Sequence, residues 1–304
     1  METVFGLPAL DYYWFMIDGF KLLCFTAVLI PLEMLFPVQN ISFKNRLPHI
    51  IFILITAPLF MIAMKVACTV VMGMSFHDGR WFDSDQIPVP ALDFLPIVNL
   101  APFFAAIPFP GAAFALLTIF ISDGVLYWWH RTMHTIPVLW PLHKLHHVDE
   151  HLNVFTTNIA HPLHNIPWTF FMTLLGAYFV RCSGGHITPD NAVDSMMATF
   201  IFWKITGWFI HSNVKVSFGP LTWLYVSPQL HRIHHSKEER HMNSNFVDFF
   251  PIWDILFGTY YRPKKDEWPE SGVNGETLQT SQWALAAQPF RDWLSYFRAK
   301  RASQ

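Results

Sequence analysis

Apolar residues run in blocks of membrane-crossing length along the first two thirds of the chain, and polar residues collect where those blocks end. A helix needs about 20 apolar residues to cross the hydrocarbon of a bilayer. Residues 12–38 satisfy this loosely, from Tyr12 through Ile30 to Phe36, with Pro31 placed to bend the helix. Residues 48–75 are a clear span. Residues 96–129 form a longer run interrupted by Pro102, Pro108, Pro110 and Gly111, which reads as a broken or re-entrant segment followed by a full span from about Gly111 to Trp129. Two further spans follow at 165–182 and 191–210. The pattern predicts an all-α fold, an integral membrane helical bundle of about four to five spans whose polar remainder forms a histidine-rich helical cap.

Loop charge orients the bundle. Lys44 and Arg46 lie in the short loop 39–47, which is expected on the cytoplasmic side. The loop 76–95 holds Asp78, Asp83, Asp85 and Asp93 against one arginine and is expected outside. Counting onward places 130–164 and everything after 211 on the cytoplasmic face. Trp128, Trp129, Trp140 and Trp208 fall where an interfacial aromatic belt would lie. The segment Trp283 to Phe297 is amphipathic and suited to a bilayer surface. The division expected is N-terminal membrane spans at 1–110, a catalytic domain at 111–262 and a cytoplasmic tail at 263–304.

Composition agrees with the span pattern. The chain is 52% hydrophobic and 14% charged, whereas soluble domains carry about 25% charged residues. A net charge of -2 gives no nucleic-acid signature, although 12 of the 20 Lys and Arg lie after residue 200. Cys24, Cys68 and Cys182 form no paired motif and read as packing residues. The first apolar run carries Asp18, Lys21 and Glu33 without an early basic region, so a cleavable signal is not expected.

Three histidine clusters change the picture from a bundle to a candidate catalyst. They are His130-Arg-Thr-Met-His134, His143-Lys-Leu-His146-His147 and His231-Arg-Ile-His234-His235, all on the expected cytoplasmic side. Positions i, i+3 and i+4 of a helix share a face. Each HxxHH triplet can therefore serve two metals, or straddle one metal while bracing another. Eight imidazoles exceed the four ligands of one tetrahedral zinc. Two metals of higher coordination number would use nearly all of them. Neutral nitrogen donors suit iron, zinc, copper and nickel, and among these iron with open positions activates dioxygen against an unactivated C–H bond. The first cluster lacks the glutamate of HExxH, which removes the general base of a metalloprotease. No phosphate-binding or dinucleotide fingerprint occurs, so electrons are expected from a separate electron-transfer protein or a diffusible reductant. A membrane metal-transport protein and a metal-dependent intramembrane hydrolase remain as alternatives. Transporters, however, place polar groups near the bilayer midplane, and these clusters fall at span ends.

Several other residues are candidates for support. Asp254 and, after the second cluster, Asp149 and Glu150 are placed to orient a ligand imidazole. Asp123 lies about two helical turns before His130 in an otherwise apolar span, where a carboxylate is costly unless partnered. Asn245 is a candidate to hold a metal-bound water, with a structural turn as the alternative. His161 is a candidate metal ligand, and His161 and His164 together are suited to a ligand or closely supporting role, with packing as the alternative. His151 and His241 are expected at the surface, and His49 is assigned no role. Ordinary imidazoles must be neutral to bind metal, so activity is expected to fall below about pH 6.

Residues 115–262 resemble the fatty acid hydroxylase and sterol desaturase superfamily of membrane di-iron enzymes. The resemblance rests on DGVLYWWHRTMH (123–134), LHKLHHVDEHLNVFTTNIAHP (142–162), FIHSNV (209–214), SPQLHRIHHSKE (227–238), NSNF (243–246) and IWDILFGTYYRP (252–263), in the order shared by bacterial members and alkylglycerol monooxygenase. It implies that His130, His134, His143, His146, His147, His231, His234 and His235 are metal ligands, with His211 at a further ligand position. It also implies two iron ions, dioxygen, an external electron donor and a lipid substrate that is hydroxylated or desaturated. Two departures stand out: His164 occupies a position where members often carry glutamate, and Asn245-Phe246-Val247 replaces Asn-Tyr-Gly. Both bear on the substrate pocket and leave the metal core intact. The His-Pro-Gly-Gly haem motif of the cytochrome fused to some members does not occur.

Overall fold

Prolines and buried charges, more than apolar periodicity, decide how the helices are cut and joined. The computed structural model describes residues 3–4, 7–8, 24–55, 96–186 and 202–303. Within them, apart from a two-residue antiparallel pairing of β1 (Thr3–Val4) with β2 (Leu7–Pro8), regular structure is helical. The helices are α1 (Cys24–Leu35), α2 (43–55), α3 (Ala101–Ala105), α4 (Pro110–Thr135), α5 (Trp140–His147), α6 (Pro162–Cys182), α7 (202–211), α8 (Pro228–His234), α9 (Ile252–Leu256) and α10 (Gln282–Ala302). Among the described residues one helix, α4, is long and apolar enough to cross a membrane, and α1 is apolar but shorter. The expected span at 165–182 falls within α6. The rest of the expected spans 12–38, 48–75 and 191–210 lies outside the described residues, except for 24–38, 48–55 and 202–210.

The interruption expected at 96–110 is present. Helix α3 ends at Ala105, and Pro110 opens α4 at the position where its missing N–H costs nothing. Helix α4 stops at Thr135 because Ile136 precedes Pro137 and is driven to extended backbone, φ -96 and ψ 111. Phe104, Phe114 and Phe179 lock α3, α4 and α6 together.

Charges inside the apolar blocks are all partnered where described. Glu33 on α1 accepts the N–H groups of Val154 at 2.7 Å and Asn213 at 2.8 Å and pairs with Arg46 on α2. One carboxylate thus pins α1, α2, the loop after α5 and the end of α7, which is how an ion survives burial. Asp123 in α4 accepts three consecutive N–H groups, from Asp248, Phe249 and Phe250, at 2.8–3.2 Å. Next to it, a Cβ on Gly124 would lie 2.8 Å from the Trp253 ring, so glycine here is what lets α9 approach α4. Tyr127, Ile210, Val226, Leu230, Phe246 and Val247 form the buried core between α4, α7, α8 and the 244–250 loop. That core sits directly behind the histidine clusters.

Candidate metal centre

Three short helical pieces carry the clusters. His130 and His134 occupy the last turns of α4, one turn apart on one face. Helix α5 is almost entirely buried and carries the second cluster, and α8 carries the third. Helix α8 is started by Ser227, whose hydroxyl accepts the Leu230 N–H at 3.2 Å, and by Pro228 in its first turn.

The structure sorts nine imidazoles into two groups. His130, His134, His143, His147 and His234 form one, and His146, His211, His231 and His235 the other, with donor atoms inside each group all within 4.8 Å of one another. Each HxxHH triplet is split between them. His143 and His147 go to the first group and His146 to the second, while His231 and His235 go to the second and His234 to the first. The i, i+4 pair of each triplet therefore stays together, and the i+3 ring crosses to the other group. The groups meet where the His147 and His235 rings stack, centroids 4.3 Å apart and planes 18° from parallel.

The tautomers of these rings suit metal binding better than a hydrogen-bonded cluster. Nδ1 of His130 lies 2.6 Å from the Phe246 carbonyl, and Nδ1 of His234 lies 2.8 Å from that of Ser244. Nδ1 of His211 lies 2.6 Å from the Gly207 carbonyl, and Nδ1 of His146 lies 3.2 Å from that of Ile159. A carbonyl only accepts, so Nδ1 carries the proton in all four rings and Nε2 keeps its lone pair. Yet Nε2 of His130 faces Nε2 of His234 at 3.0 Å, and Nε2 of His146 faces Nε2 of His211 at 3.0 Å. Two lone pairs that close repel unless a cation lies between them. Metal–nitrogen bonds of about 2.1 Å at right angles put neighbouring nitrogens about 3.0 Å apart. The donor set fits a metal ion in each group.

The sequence candidates divide accordingly. All eight clustered histidines and His211 belong to one of the two groups, and His161 stands outside both. Its Nδ1 accepts the Leu163 N–H at 3.2 Å and its ring lies against Phe290. The neighbouring His164 lies closer to the chemistry, with its Nδ1 3.1 Å from Nδ1 of His143. If His143 gives Nε2 to the first group, its Nδ1–H donates to His164, which orients the ring.

The carboxylates act one step further out than their sequence positions suggest. Asp254 accepts the N–H groups of Phe246 at 2.9 Å and Val247 at 3.2 Å and the Thr259 hydroxyl at 2.7 Å. Burial raises its pKa, and these donors oppose the rise. Together Asp254 and Asp123 hold five successive backbone N–H groups, residues 246–250, and so fix the loop whose carbonyls orient His130 and His234. Asn245 is a turn residue, with φ 55, and both side-chain polar atoms pair with the backbone of Tyr261. Asp149 pairs with His49 at 2.7 Å and accepts the Thr156 hydroxyl at 2.6 Å. Its pKa falls to about 2: burial, the largest single influence, would raise it, but His49, the Thr156 hydroxyl and the His151 N–H together outweigh it. His241, expected at the surface, is buried against Ser236 and Glu267. Asp149, the partner of His49, and Glu267, a partner of His241, lie 100 and 26 residues away and leave no local sequence signal.

Burial also moves the acid limit. Desolvation holds the imidazoles of His143, His147, His231 and His235 well below 6.5, and those of His146 and His234 at about 4. An imidazole that protonates at 6.5 in the unfolded chain and at about 4 in the folded one stabilises the fold above pH 6.5, and that contribution is lost as pH falls toward 4. The expected limit near pH 6 therefore moves down. The unfolding temperature of the metal-free protein should decline between pH 6.5 and 4, and a flat profile across that window would contradict the buried, neutral imidazoles.

Comparison with known proteins points the same way. Residues 115–259 match the family model described as fatty acid hydroxylase. The chain is 31% identical to ornithine lipid hydroxylase OlsE of Rhizobium tropici over 195 residues, 64% of this chain and 56% of the relative. It is 28% identical to alkylglycerol monooxygenase of Xenopus tropicalis over 152 residues, 50% of this chain and 31% of the relative. It is 24% identical to the Delta(7)-sterol 5(6)-desaturase erg3A of Aspergillus fumigatus over 217 residues, 66% and 53% respectively. The chain thus spans about half the length of the first and last of these and about a third of the second. No solved structure matches. Residues 115–259 contain all nine imidazoles of the two groups, so the part of the chain that matches the fatty acid hydroxylase family model is the part that carries the candidate metal centre.

Proposed function

We propose that this chain is an integral membrane oxidoreductase that uses dioxygen to hydroxylate or desaturate a C–H position of a lipid at a histidine-held pair of iron ions. One observation carries the reading: in each group, two imidazoles whose Nδ1 atoms are committed to carbonyls turn their lone pairs on each other at 3.0 Å. The names of the relatives support a lipid substrate. Two iron ions, when bound, let dioxygen be reduced with two external electrons, so that one oxygen atom enters the lipid in hydroxylation and both leave as water in desaturation. Zinc accepts the same donors, so purified protein can carry it instead.

The chain's own residues neutralise, orient and shield. Backbone carbonyls hold four rings in the donor tautomer, and burial keeps the imidazoles unprotonated. Of the nine rings only His134 is not fully buried. Trp140 and Phe246 flank it, with ring centroids 5.0 and 5.2 Å away. We assign the approach of the lipid to this side of the first group, where two aromatic rings exclude water. The bundle has about four to five spans, with both groups on the cytoplasmic face of a bacterial inner membrane or the endoplasmic reticulum. N-terminal spans occupy 1–110, a catalytic domain that carries the remaining spans occupies 111–262, and a cytoplasmic tail 263–304. Electrons come from a separate electron-transfer protein or a diffusible reductant.

The test is lipid mass spectrometry of cells carrying the intact chain or its His146→Ala variant. A lipid gaining one oxygen or losing two hydrogens is expected with the intact chain alone and only under oxygen. An oxygen-independent cleavage product would replace this reading with a metal-dependent hydrolase. No lipid change, together with metal movement across the membrane, would replace it with a transporter.

A further inference from the structure

Helix α10 has two apolar faces: among the described residues one packs inside the protein and the other is largely exposed. Leu285, Gln288 and Pro289 are buried on the inner face, where Leu285 packs with Leu145 of α5 and with Phe52 and Ile159. Lys144 of α5 pairs with Asp292 of α10 at 2.8 Å and with Glu276 just before it at 2.7 Å. The outer face carries Trp283, Phe290, Leu294 and Phe297, which are 87%, 53%, 51% and 49% exposed. At about 100° per residue these four fall within an arc of roughly 60°, opposite Leu285 and Asp292. Arg291 and Arg298 flank one edge of the stripe, Arg301 continues it and Lys300 lies on the other edge, all exposed. Asp292, the one acid of the helix, is already paired with Lys144.

Position says what covers the stripe. The Trp293 indole donates to the Val138 carbonyl at 2.7 Å, three residues beyond the end of α4. The Phe290 ring lies 5.8 Å from His161, immediately before α6. Helix α10 is therefore moored at the level where α4, the helix long enough to cross a bilayer, comes to its end. An apolar stripe with Trp, Phe and Leu, edged by basic side chains at that level, matches a helix lying in a lipid–water interface, and the basic edge complements anionic headgroups.

We propose that α10 lies in the plane of the membrane surface, with Trp283, Phe290, Leu294 and Phe297 among the lipid chains and Arg291, Arg298, Lys300 and Arg301 on anionic headgroups. Through Lys144 this ties the histidine-bearing helix α5 to the lipid surface. The inference rests on the membrane placement proposed above and not on the metal chemistry.

The test uses the full chain in lipid nanodiscs, with a fluorescent amino acid introduced at Leu294, at Phe297 and, as a control, at the exposed Leu116 of α4. Lipids bearing a nitroxide high on the acyl chain should quench the α10 positions roughly threefold more than aqueous iodide does. The quadruple variant Arg291→Gln, Arg298→Gln, Lys300→Gln, Arg301→Gln should weaken that quenching in discs containing phosphatidylglycerol and leave it unchanged in phosphatidylcholine. Lipid quenching at Leu116 with iodide quenching at Leu294 and Phe297 would overturn the inference and leave the membrane reading standing. Iodide quenching at all three would overturn both. Shielding of Leu294 from both quenchers, with a dimer in solution, would make the stripe a contact between copies and also overturn it. Equal quenching in the two lipid mixtures would remove the anionic headgroups from the proposal.

Discussion

Replacing His211 with alanine is expected to release about one metal ion per chain and to lower activity by at least a hundredfold, since partners one step further out already cost about 10- to 100-fold. The second group has four donors, all buried, and His211 touches two of them, with its Nε2 3.0 Å from that of His146 and 2.8 Å from that of His231. Three nitrogens in a dry pocket leave an open position that no other described side chain of this group can fill. The first group answers differently. It has five donors, and His134→Ala leaves four buried ones in place. That variant is expected to keep most of its metal and still lose turnover, because His134 forms the accessible side. Elemental analysis of the purified variants reads the first quantity and lipid conversion the second. If His211→Ala retained the metal content of the unaltered chain, the four-donor group would not be a metal site.

Much of this site was legible in the residues, and what was not has a definable cause. Spacing identifies which imidazoles share a helix face, so the clusters and the idea of one triplet serving two metals were readable. Spacing does not say which ring crosses to which group, because that depends on α5 and α8 being brought face to face by contacts far apart in sequence. The same limit explains His161 and His164. Both precede or begin the same helix, and only the approach of α5 to α6 puts His164 against His143 while His161 turns toward Phe290. Asp123 was recognisable as a carboxylate too costly to bury unpaired, and Asp254 as a candidate to orient a ligand imidazole. Their partners are backbone N–H groups of the 246–250 loop, and a backbone donor leaves no mark in the sequence. Glu33 is a further example, since its partners Val154 and Asn213 lie 121 and 180 residues away. The interruption before α4 was plain because proline acts locally.

The loop clamp leads to the second large effect, at Asp254. Its Oδ1 accepts from Phe246 N–H and the Thr259 hydroxyl, and its Oδ2 accepts from Val247 N–H. An asparagine keeps one of these oxygens and turns an NH2 group toward a donor where the other stood. Asp254→Asn is thus expected to cost about 1–3 kcal/mol of stability, and Asp254→Ala, which strands three donors, about 3–5 kcal/mol. The consequence at the metal follows from the Phe246 carbonyl, which lies 2.6 Å from Nδ1 of His130 and sets that ring's tautomer and direction. Loosening it should weaken metal binding in the first group by about 10- to 100-fold, while the second group, which depends on Gly207 and Ile159 carbonyls instead, keeps its ion. Thr259→Val serves as the comparison, since it removes a single bond to the same carboxylate and leaves both N–H groups held. Thermal unfolding of the metal-free variants and metal titration of the folded ones separate the two quantities. A variant that melts early yet binds two ions with undiminished affinity would show that Asp254 braces the loop without orienting His130.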